Sequence, residues 1–325
     1  MTEQAKARDI GRGEAAGRRV LLLGTRASKL ALAQAEIVRQ ALLALEPGLE
    51  VRFETITTKG DIVQDRPLSE IGGNGLFVTA IEEALRSGTI DLAVHSAKDL
   101  SSLLPPDMAL AAFLPRADAR DVLVSREGHT LLSLPPDAVL GTSSPRRTCQ
   151  VLAVRPDLRV LDIRGNVDTR LRKLHAGEYD AIVLAAAGLA RLGLLDRVTE
   201  WLDPGAMLPA VAQGALTVEV RASDRFMLDL AGKLDDPATS TAVRAERAFL
   251  AAIGGGCSLP VGAYATLEGG HLRLRGMIGA PDGRMLRGEH VGDGSQPELV
   301  GRELVAALLS EGGRELIEES EALAR

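Results

Sequence analysis

Apolar and polar residues follow two different spacings along this chain, and together they predict an α/β protein. Residues 20–24 (VLLLG) form a continuous apolar run of strand length, whereas residues 29–45 repeat apolar positions at helical spacing. A strand-and-helix succession starts again after residue 120, with strands at 121–125 and 138–141. This alternation predicts two α/β units.

The C-terminal part has a different order of elements. A helix is predicted at about 237–252, with Asp236 and Pro237 suited to its start. Three strands follow at 261–267, 271–279 and 284–291, with hairpin glycines at 269–270 and 283, before a final helix at about 296–323. This order predicts a small α+β domain with an antiparallel sheet.

These patterns give the predicted organisation of the chain. Further strands are predicted at 51–57, 109–114, 159–163, 180–188 and 208–221, and further helices at 76–87 and after residue 166. The predicted parts are a disordered tail (1–19), a first α/β domain (20–114 plus 215–232), a second α/β domain (120–208) and the C-terminal domain (237–325). Residues 115–120 (PRADAR) are the expected crossing between the α/β domains. Residues 58–75, with four glycines and a proline, are expected to form a mobile lid.

Composition and charge restrict the class of function. The chain has 325 residues, of which 46% are hydrophobic and 25% charged, as in an ordinary soluble globular protein. Its formal net charge of −6 argues against a nucleic-acid or membrane-surface partner, and no apolar run is long enough to span a membrane. The two cysteines, Cys149 and Cys257, form no disulfide framework and indicate a reducing compartment. We therefore expect a cytoplasmic protein.

One segment of this acidic chain carries a net positive charge. Residues 141–173 contain seven arginines and one lysine against three aspartates, a net charge of +5. A charge run is usually a solvated face, but these cations follow small residues at the starts of predicted helices, where anions bind. The spacing therefore favours a cleft for a polyanion over a solvated basic surface.

The segment Arg26–Ser28 and the later segment Thr142–Arg147 share one design, in which a strand leads through small hydroxyl residues and arginine into a helix. Ser28 suits the N-cap of the helix at 29–45, and Arg26 lies beside this helix N-terminus, which is a place where anions bind. In the later segment Ser144 suits the cap and Pro145 the first helical position.

Residues 91–99 (DLAVHSAKD) read as a buried strand that ends in polar side chains at a sheet edge, where open α/β sheets bind ligands. Asp99 follows the cation Lys98 directly. A carboxylate at such an edge can stabilise positive charge that develops on a substrate. An Asp that only caps a loop or helix fits the stretch equally well.

The two cysteines differ in their surroundings. Cys257 follows the glycines at 254–256, which leave the backbone open and the thiol exposed, whereas Cys149 lies among apolar residues of a predicted helix. Cys149 is therefore expected in the core, and Cys257 is the candidate reactive thiol.

Nine motifs, in order along nearly the whole chain after residue 19, make it resemble the porphobilinogen deaminase (hydroxymethylbilane synthase) family. They are TRASKLALAQ (25–34), TTKGD (57–61), GGNGLF (72–77), DLAVHSAKD (91–99), GTSSPRR (141–147), RGNVDTR (164–170), AAAGLARLG (185–193), LPAVAQGA (208–215) and GGGCSLPVGAYA (254–265). The resemblance implies two α/β domains similar to type II periplasmic binding proteins, with the active cleft between them, and a third domain that carries the cysteine.

The resemblance also implies the chemistry. A dipyrromethane cofactor would be joined to Cys257 by a thioether. Four porphobilinogen molecules would be added to it head to tail with loss of ammonia, and the product, hydroxymethylbilane, would be released by hydrolysis. The small-molecule substrate would be the only partner, without nucleic acid, membrane or metal, and a monomer is expected.

The family's site residues map onto this sequence position by position. Asp99 matches the catalytic aspartate. The matches to cofactor-binding positions are Ser96, Lys98, Asp99, Thr142, Ser144, Arg146, Arg147, Arg164, Gly165 and Phe77, whose ring would pack on the cofactor. The matches to substrate-binding positions are Arg26, Ser28, Gln34, Arg170, Arg191 and Gln213.

Two departures and one alternative accompany this resemblance. Asn74 lies where many members have Lys, and the Pro that often follows the Asp motif is missing after Asp99. Two α/β units around an anion cleft would also serve a non-catalytic carboxylate-binding protein or effector domain. That alternative leaves Cys257 unexplained and predicts no covalent adduct.

Overall fold

The computed structural model describes residues 19–58, 78–254 and 259–323. Its strands are β1 (Arg19–Thr25), β2 (Leu49–Thr55), β3 (Leu92–Ser96), β4 (Met108–Phe113), β5 (Asp121–Ser125), β6 (Val139–Gly141), β7 (Arg159–Leu161), β8 (Ala181–Ala185), β9 (Glu200–Trp201), β10 (Leu216–Arg221), β11 (Val261–Glu268), β12 (His271–Gly279) and β13 (Met285–Asp293). Its α-helices are α1 (Lys29–Leu45), α2 (Thr79–Arg86), α3 (Pro145–Val154), α4 (Val167–His175), α5 (Ala186–Arg191), α6 (Arg225–Gly232), α7 (Pro237–Ile253), α8 (Pro297–Leu308) and α9 (Arg314–Leu323).

The α/β part contains two five-stranded sheets with the same topology. The first has the order β2-β1-β3-β10-β4, and the second the order β7-β6-β8-β5-β9. In each sheet the first three strands of this order are parallel. The fourth strand, β10 or β5, is the first one after the chain crosses from the other sheet, and it pairs antiparallel with the third. The predicted repetition of one α/β design is confirmed, and the expected mixed α/β class holds.

The chain crosses between the two sheets twice. Residues 114–120 lead from β4 to β5, as the polar stretch at 115–120 predicts, and residues 202–215 lead back from β9 to β10. The strand predicted over 208–221 is wrong before residue 216. Ala212 has φ 59° and Gly214 φ 91°, so the backbone turns in the left-handed region there and cannot extend a strand.

Apolar clusters cover both faces of each α/β sheet. Leu23, Val38 and Val218 belong to one cluster on the first sheet, and Ile81 and Ile90 to another. The second sheet is covered by a cluster around Leu140 and another around Ile182. Because both faces are buried, the strands read as continuous apolar runs in the sequence.

The C-terminal part is a separate small domain with the antiparallel sheet β11-β12-β13, packed on α7 and α8. The β11–β12 hairpin closes through Gly269 and Gly270, both with positive φ, as the glycine pair predicts. Helix α7 begins after Asp236, whose side chain accepts from Thr239 N at 2.8 Å, and ends at the left-handed Gly254.

Two other predicted elements are corrected. The final helix is broken, because Gly312 has φ 105° between α8 and α9. The strand predicted over 180–188 ends at Ala185, and α5 begins at Ala186, in keeping with the high helix propensity of the alanine run. Helix α6 was not predicted. The lid prediction (58–75) lies outside the described residues except for Thr58. The predicted tail (1–19) lies outside them except for Arg19, which begins β1 and is not part of a tail.

Candidate active site

The polar ends of β3 and β1 meet in the cleft between the two α/β sheets. Ser28 caps α1, its Oγ accepting from Ala31 N at 3.2 Å. Gln34, one turn further along α1, donates from Nε2 to Ser96 Oγ at 2.8 Å, and Ser96 ends β3. This contact joins the first helix to the strand that leads to Asp99.

Lys98 and Asp99 lie on a single 3-10 turn, Ala97–Asp99, directly after β3. Asp99 is exposed, and the structure gives its carboxylate no hydrogen bond to any residue in 19–58, 78–254 or 259–323. A capping carboxylate would accept a backbone N–H. This observation favours the interpretation of Asp99 as a functional group over the interpretation as a cap.

Two cavities are lined by both Lys98 and Asp99 of this turn. The first, here called the cleft cavity, has a volume of about 270 Å³. Its polar lining consists of Arg26, Ser28, Gln34, Ser96, Lys98, Asp99, Arg147, Asn166, Arg170 and Arg191. The predicted substrate residues therefore come together here, apart from Gln213.

The second, here called the Leu259 cavity, has a volume of about 200 Å³ and reaches the C-terminal domain through Leu250, Leu259 and Val261. Lys98, Asp99 and Arg147 line both cavities, whereas Ser144, Arg146 and Gln213 line the Leu259 cavity. Leu259 lies two residues after Cys257. Cys257, Phe77 and Asn74 themselves lie outside the described residues.

Asp121 is a functional residue that the sequence analysis missed. It is the first residue of β5, has no exposed surface, and binds Arg146 Nη1 with Oδ2 at 2.8 Å and Arg147 Nη2 with Oδ1 at 2.7 Å. Burial by itself would raise the pKa of Asp121, but the two guanidinium groups outweigh it and hold that pKa well below its usual range. Asp121 thus supplies the counter-charge for both arginines of GTSSPRR.

The Asp121 cluster is linked to Lys98 through Gln213. The Gln213 amide nitrogen donates to Asp121 Oδ1 at 2.8 Å, and its amide oxygen accepts from Lys98 Nζ at 3.2 Å. Gln213 is fully buried on the returning crossing. It therefore connects the turn after β3 to the arginines of α3.

Three arginines keep buried nitrogens without a partner. Within the described part of the chain, the unpartnered buried side-chain atoms are Arg146 Nε, Arg147 Nε, Arg164 Nη1 and Glu219 Oε1. A buried donor without a partner is costly, so such atoms mark places where a ligand completes the hydrogen bonding. Carboxylates are the groups that guanidinium nitrogens bind best.

Arg170, Arg191 and Thr142 are three further positions that the resemblance assigns to the site. Arg170 Nε donates to Gly165 O at 2.9 Å, and Arg191 Nη2 donates to Gly214 O at 2.7 Å; burial lowers the pKa of each to about 10. Thr142 is buried and its Oγ1 accepts from Ser144 N at 3.2 Å. Thr142 shapes the start of α3 rather than lining either cavity.

Only part of the cationic segment at residues 141–173 faces the cleft. Arg155 pairs with Asp157 at 2.6 Å and donates to Leu131 O and Leu134 O, and Arg159 is exposed on the edge strand β7. The prediction of a polyanion cleft therefore rests on Arg146, Arg147 and Arg170, which line the two cavities, since Arg155 and Arg159 serve the loops and surface of the second sheet.

Two family models match the chain. One, described as porphobilinogen deaminase, dipyromethane cofactor binding domain, matches residues 21–229, and the other, porphobilinogen deaminase, C-terminal domain, matches residues 240–310. The chain belongs to the porphobilinogen deaminase family. Members of this family are transferases, as the resemblance implies.

Curated relatives in the porphobilinogen deaminase family match nearly end to end. The chain is 61% identical over 300 residues to the porphobilinogen deaminase of Roseiflexus castenholzii, covering 92% of this chain and 99% of that one. It is 46% identical over 302 residues to that of Syntrophobacter fumaroxidans, covering 93% and 98%. This extent leaves the alternative of a non-catalytic binding protein unfavoured.

Two solved structures resemble part of the chain. An ancestral cationic amino acid solute binding protein superposes with a TM-score of 0.42 at 17% identity, covering 66% of this chain and 87% of that one. The BvgS VFT2 domain of Bordetella pertussis gives a TM-score of 0.41 at 14% identity, covering 66% and 86%.

We expect Asp121→Asn to destabilise the protein by about 3–5 kcal/mol, because Arg146 and Arg147 would remain buried without their counter-charge. Thermal unfolding at pH 7 measures the loss. Since the pKa of Asp121 is depressed in the folded state, its contribution is present at neutral pH and disappears as the pH falls below the ordinary range of an Asp.

Asp118→Asn is the matched control for this prediction. Asp118 also pairs with an arginine, Arg120, at 2.6 Å, but both side chains are more than a third exposed, so we expect a change of under about 1 kcal/mol. Equal melting temperatures for the two variants would show that Asp121 does not hold the arginine pair.

Proposed function

We propose that this protein joins four porphobilinogen molecules head to tail on a dipyrromethane cofactor, loses ammonia at each addition, and releases hydroxymethylbilane by hydrolysis. The observation that carries the proposal is the pair of buried, unpartnered Nε atoms of Arg146 and Arg147, two arginines that line the Leu259 cavity together with Asp99. Each pyrrole of this chemistry bears two carboxylates, which match those donors.

The cofactor would be attached to Cys257 through a thioether. Cys149 is a poor alternative, because it is fully buried between Leu208 and Met277, and burial raises the pKa of its thiol to about 11. Leu259, close to Cys257 in sequence, lines the cavity that contains Asp99 and Arg147. We therefore assign the Leu259 cavity to the cofactor.

The cofactor carboxylates would be held in this cavity by Ser144, Arg146, Arg147 and Lys98. Arg164, Gly165, Ser96 and Phe77 join them by resemblance to the family. The bound cofactor supplies the pyrrole carbon to which the first substrate is joined. The covalent tether would keep the growing end beside Asp99, so that each addition becomes close to a unimolecular step.

The cleft cavity would bind porphobilinogen. Arg26, Arg170 and Arg191 present guanidinium groups to it, and Ser28 and Gln34 line its inner wall. Loss of ammonia leaves an electron-poor pyrrole whose positive charge is shared by the ring N–H. The Asp99 carboxylate would stabilise that charge and accept or return the proton.

Because Lys98 lines the cleft cavity as well as the Leu259 cavity, we expect binding of porphobilinogen to weaken as the pH rises through about 8. Burial lowers the pKa of Lys98 to about 8, with further lowering by Arg147 and Arg146 and a partial offset from Asp99 and Asp121. Above that pH the ammonium loses the charge that attracts carboxylates. The measurement is KM for porphobilinogen at pH 6.5 to 9.5.

Lys98→Arg gives the control, because a guanidinium stays charged throughout this range. The rise in KM above pH 8 should disappear in this variant, at the cost of a higher KM at neutral pH. If wild type and Lys98→Arg show the same pH profile, Lys98 is not the group that titrates.

We also propose that the protein acts in the cytoplasm as a monomer. The cysteine usage supports the first proposal. Among the described residues no helix is long and apolar enough to cross a membrane.

Product stoichiometry tests the proposed function. Purified protein incubated with porphobilinogen should release four molecules of ammonia for each linear tetrapyrrole formed. Binding of porphobilinogen without release of ammonia would instead support the alternative of a carboxylate-binding protein.

A further inference from the structure

A further cavity lies outside the site described above. It opens between the start of α1, the length of α4 and residues 192–197, and has a volume of about 490 Å³. Leu171, Leu192 and Leu194 form much of its floor. We call it the outer cavity.

Positive charge surrounds this apolar floor. Lys29, Arg172 and Arg197 line the outer cavity together with His175, and Asp168 is the acidic residue among its lining. Lys29 and Asp168 approach to 3.9 Å, with side chains 79% and 52% exposed. Such an exposed pair is worth little, so an arriving carboxylate can replace it at low cost. An apolar floor with a cationic rim fits an organic polyanion.

The outer cavity adjoins the cleft cavity. Leu30, Asn166 and Val167 line both. Leu30 follows Ser28 at the start of α1, and the other two open α4. These shared residues place the outer cavity next to the cleft cavity.

The proposed reaction needs more room than the site beside Asp99 provides. The cleft cavity and the Leu259 cavity measure about 270 and 200 Å³, at or below the roughly 300–1,000 Å³ of a pocket for one drug-sized ligand. The completed chain would contain six pyrrole rings, each with an acetate and a propionate. A chain of this length therefore needs space beyond these two cavities.

We propose that the outer cavity holds the pyrrole rings displaced from the cleft cavity as the chain lengthens, with Arg172, Arg197 and Lys29 binding their carboxylates. This inference rests on the proposed function. It assigns Arg172, Arg197 and Lys29 to the late additions and gives them no part in cofactor attachment or in the first two additions.

The test is the intact-mass distribution of the holoprotein after addition of a few equivalents of porphobilinogen. In the double variant Arg172→Gln/Arg197→Gln, the cofactor mass and the species with one and two added units should form as in wild type. The third and fourth additions should be slower by roughly tenfold, as expected for two exposed charged contacts, so that the species with two added units accumulates.

Arg159→Gln is the matched control, since Arg159 is exposed on β7 of the same sheet and does not line the outer cavity. It should show the wild-type distribution. Identical distributions for the double variant and wild type would overturn the proposal, and so would an equal delay in the control. A wild-type protein that gains no mass from porphobilinogen would instead refute the proposed function itself.

Discussion

The Asp99→Asn variant should fold and carry the cofactor, but its turnover of porphobilinogen should fall by about 10²–10³-fold. Asparagine keeps the shape of the side chain but removes its charge and its ability to accept a proton. In the proposed chemistry the positive charge on the pyrrole develops next to this group, on a turn shared by both cavities. The loss should therefore appear in kcat and much less in KM.

Asp99→Glu separates the effect of charge from that of position. It retains the carboxylate but moves it by one methylene, so weak turnover should remain, since small misplacements cost on the order of a hundredfold. Holoprotein content, measured by mass, must match wild type for both variants. Nearly normal turnover in Asp99→Asn would leave only a structural role for this residue.

Cys257→Ser should abolish turnover completely, because the hydroxyl is far less nucleophilic than the thiol and no thioether can form. Cys149→Ser should keep the cofactor. It should instead cost some stability, because Cys149 packs fully buried against Leu208 and Met277 and its Sγ lies 3.5 Å from Arg284 O. The two serine variants thus separate a chemical role from a packing role.

Much of the fold could be predicted because local signals and tertiary packing agree. Ser28 and Asp236 cap the helices that they precede, and the glycines at 269–270 close the predicted hairpin. The wrong strand over 208–215 shows the limit of such reasoning. The apolar alternation of this segment is real, but Ala212 adopts a left-handed conformation. Its backbone N–H donates to the carboxylate of Glu246 at 2.6 Å, 34 residues away in the sequence.

The missed parts of the site depend on contacts between distant residues. GTSSPRR indicates two arginines at a helix start, but nothing near it reveals that Asp121 neutralises both from the first position of a strand. Glu246 is a similar case. It sits fully buried on α7 and accepts from Arg116, Ala212 N and Ala265 N, so that it joins both crossings to the C-terminal sheet. Neither residue stands out in the sequence, because Asp121 directly follows the polar stretch PRADAR and Glu246 lies between Ala245 and Arg247.

The placement of the predicted site residues has a comparable explanation. Motifs at the ends of β1, β3 and β6 lie at corresponding places in two sheets of the same topology, so their meeting in one cleft follows from the repeated design. Sequence alone does not divide them between two cavities. That division comes from the turn at 97–99, which stands between the cleft cavity and the Leu259 cavity.

The central claim is that a dipyrromethane bound to Cys257 is the platform for the addition of four substrates, and one intact-mass experiment tests it most directly. Wild type and Cys257→Ser are each weighed before and after brief exposure to porphobilinogen. The account predicts that wild type carries the dipyrromethane mass and then gains up to four substrate units, while Cys257→Ser keeps the mass of its bare polypeptide. A wild-type protein at its polypeptide mass, or an adduct that persists in Cys257→Ser, would contradict it.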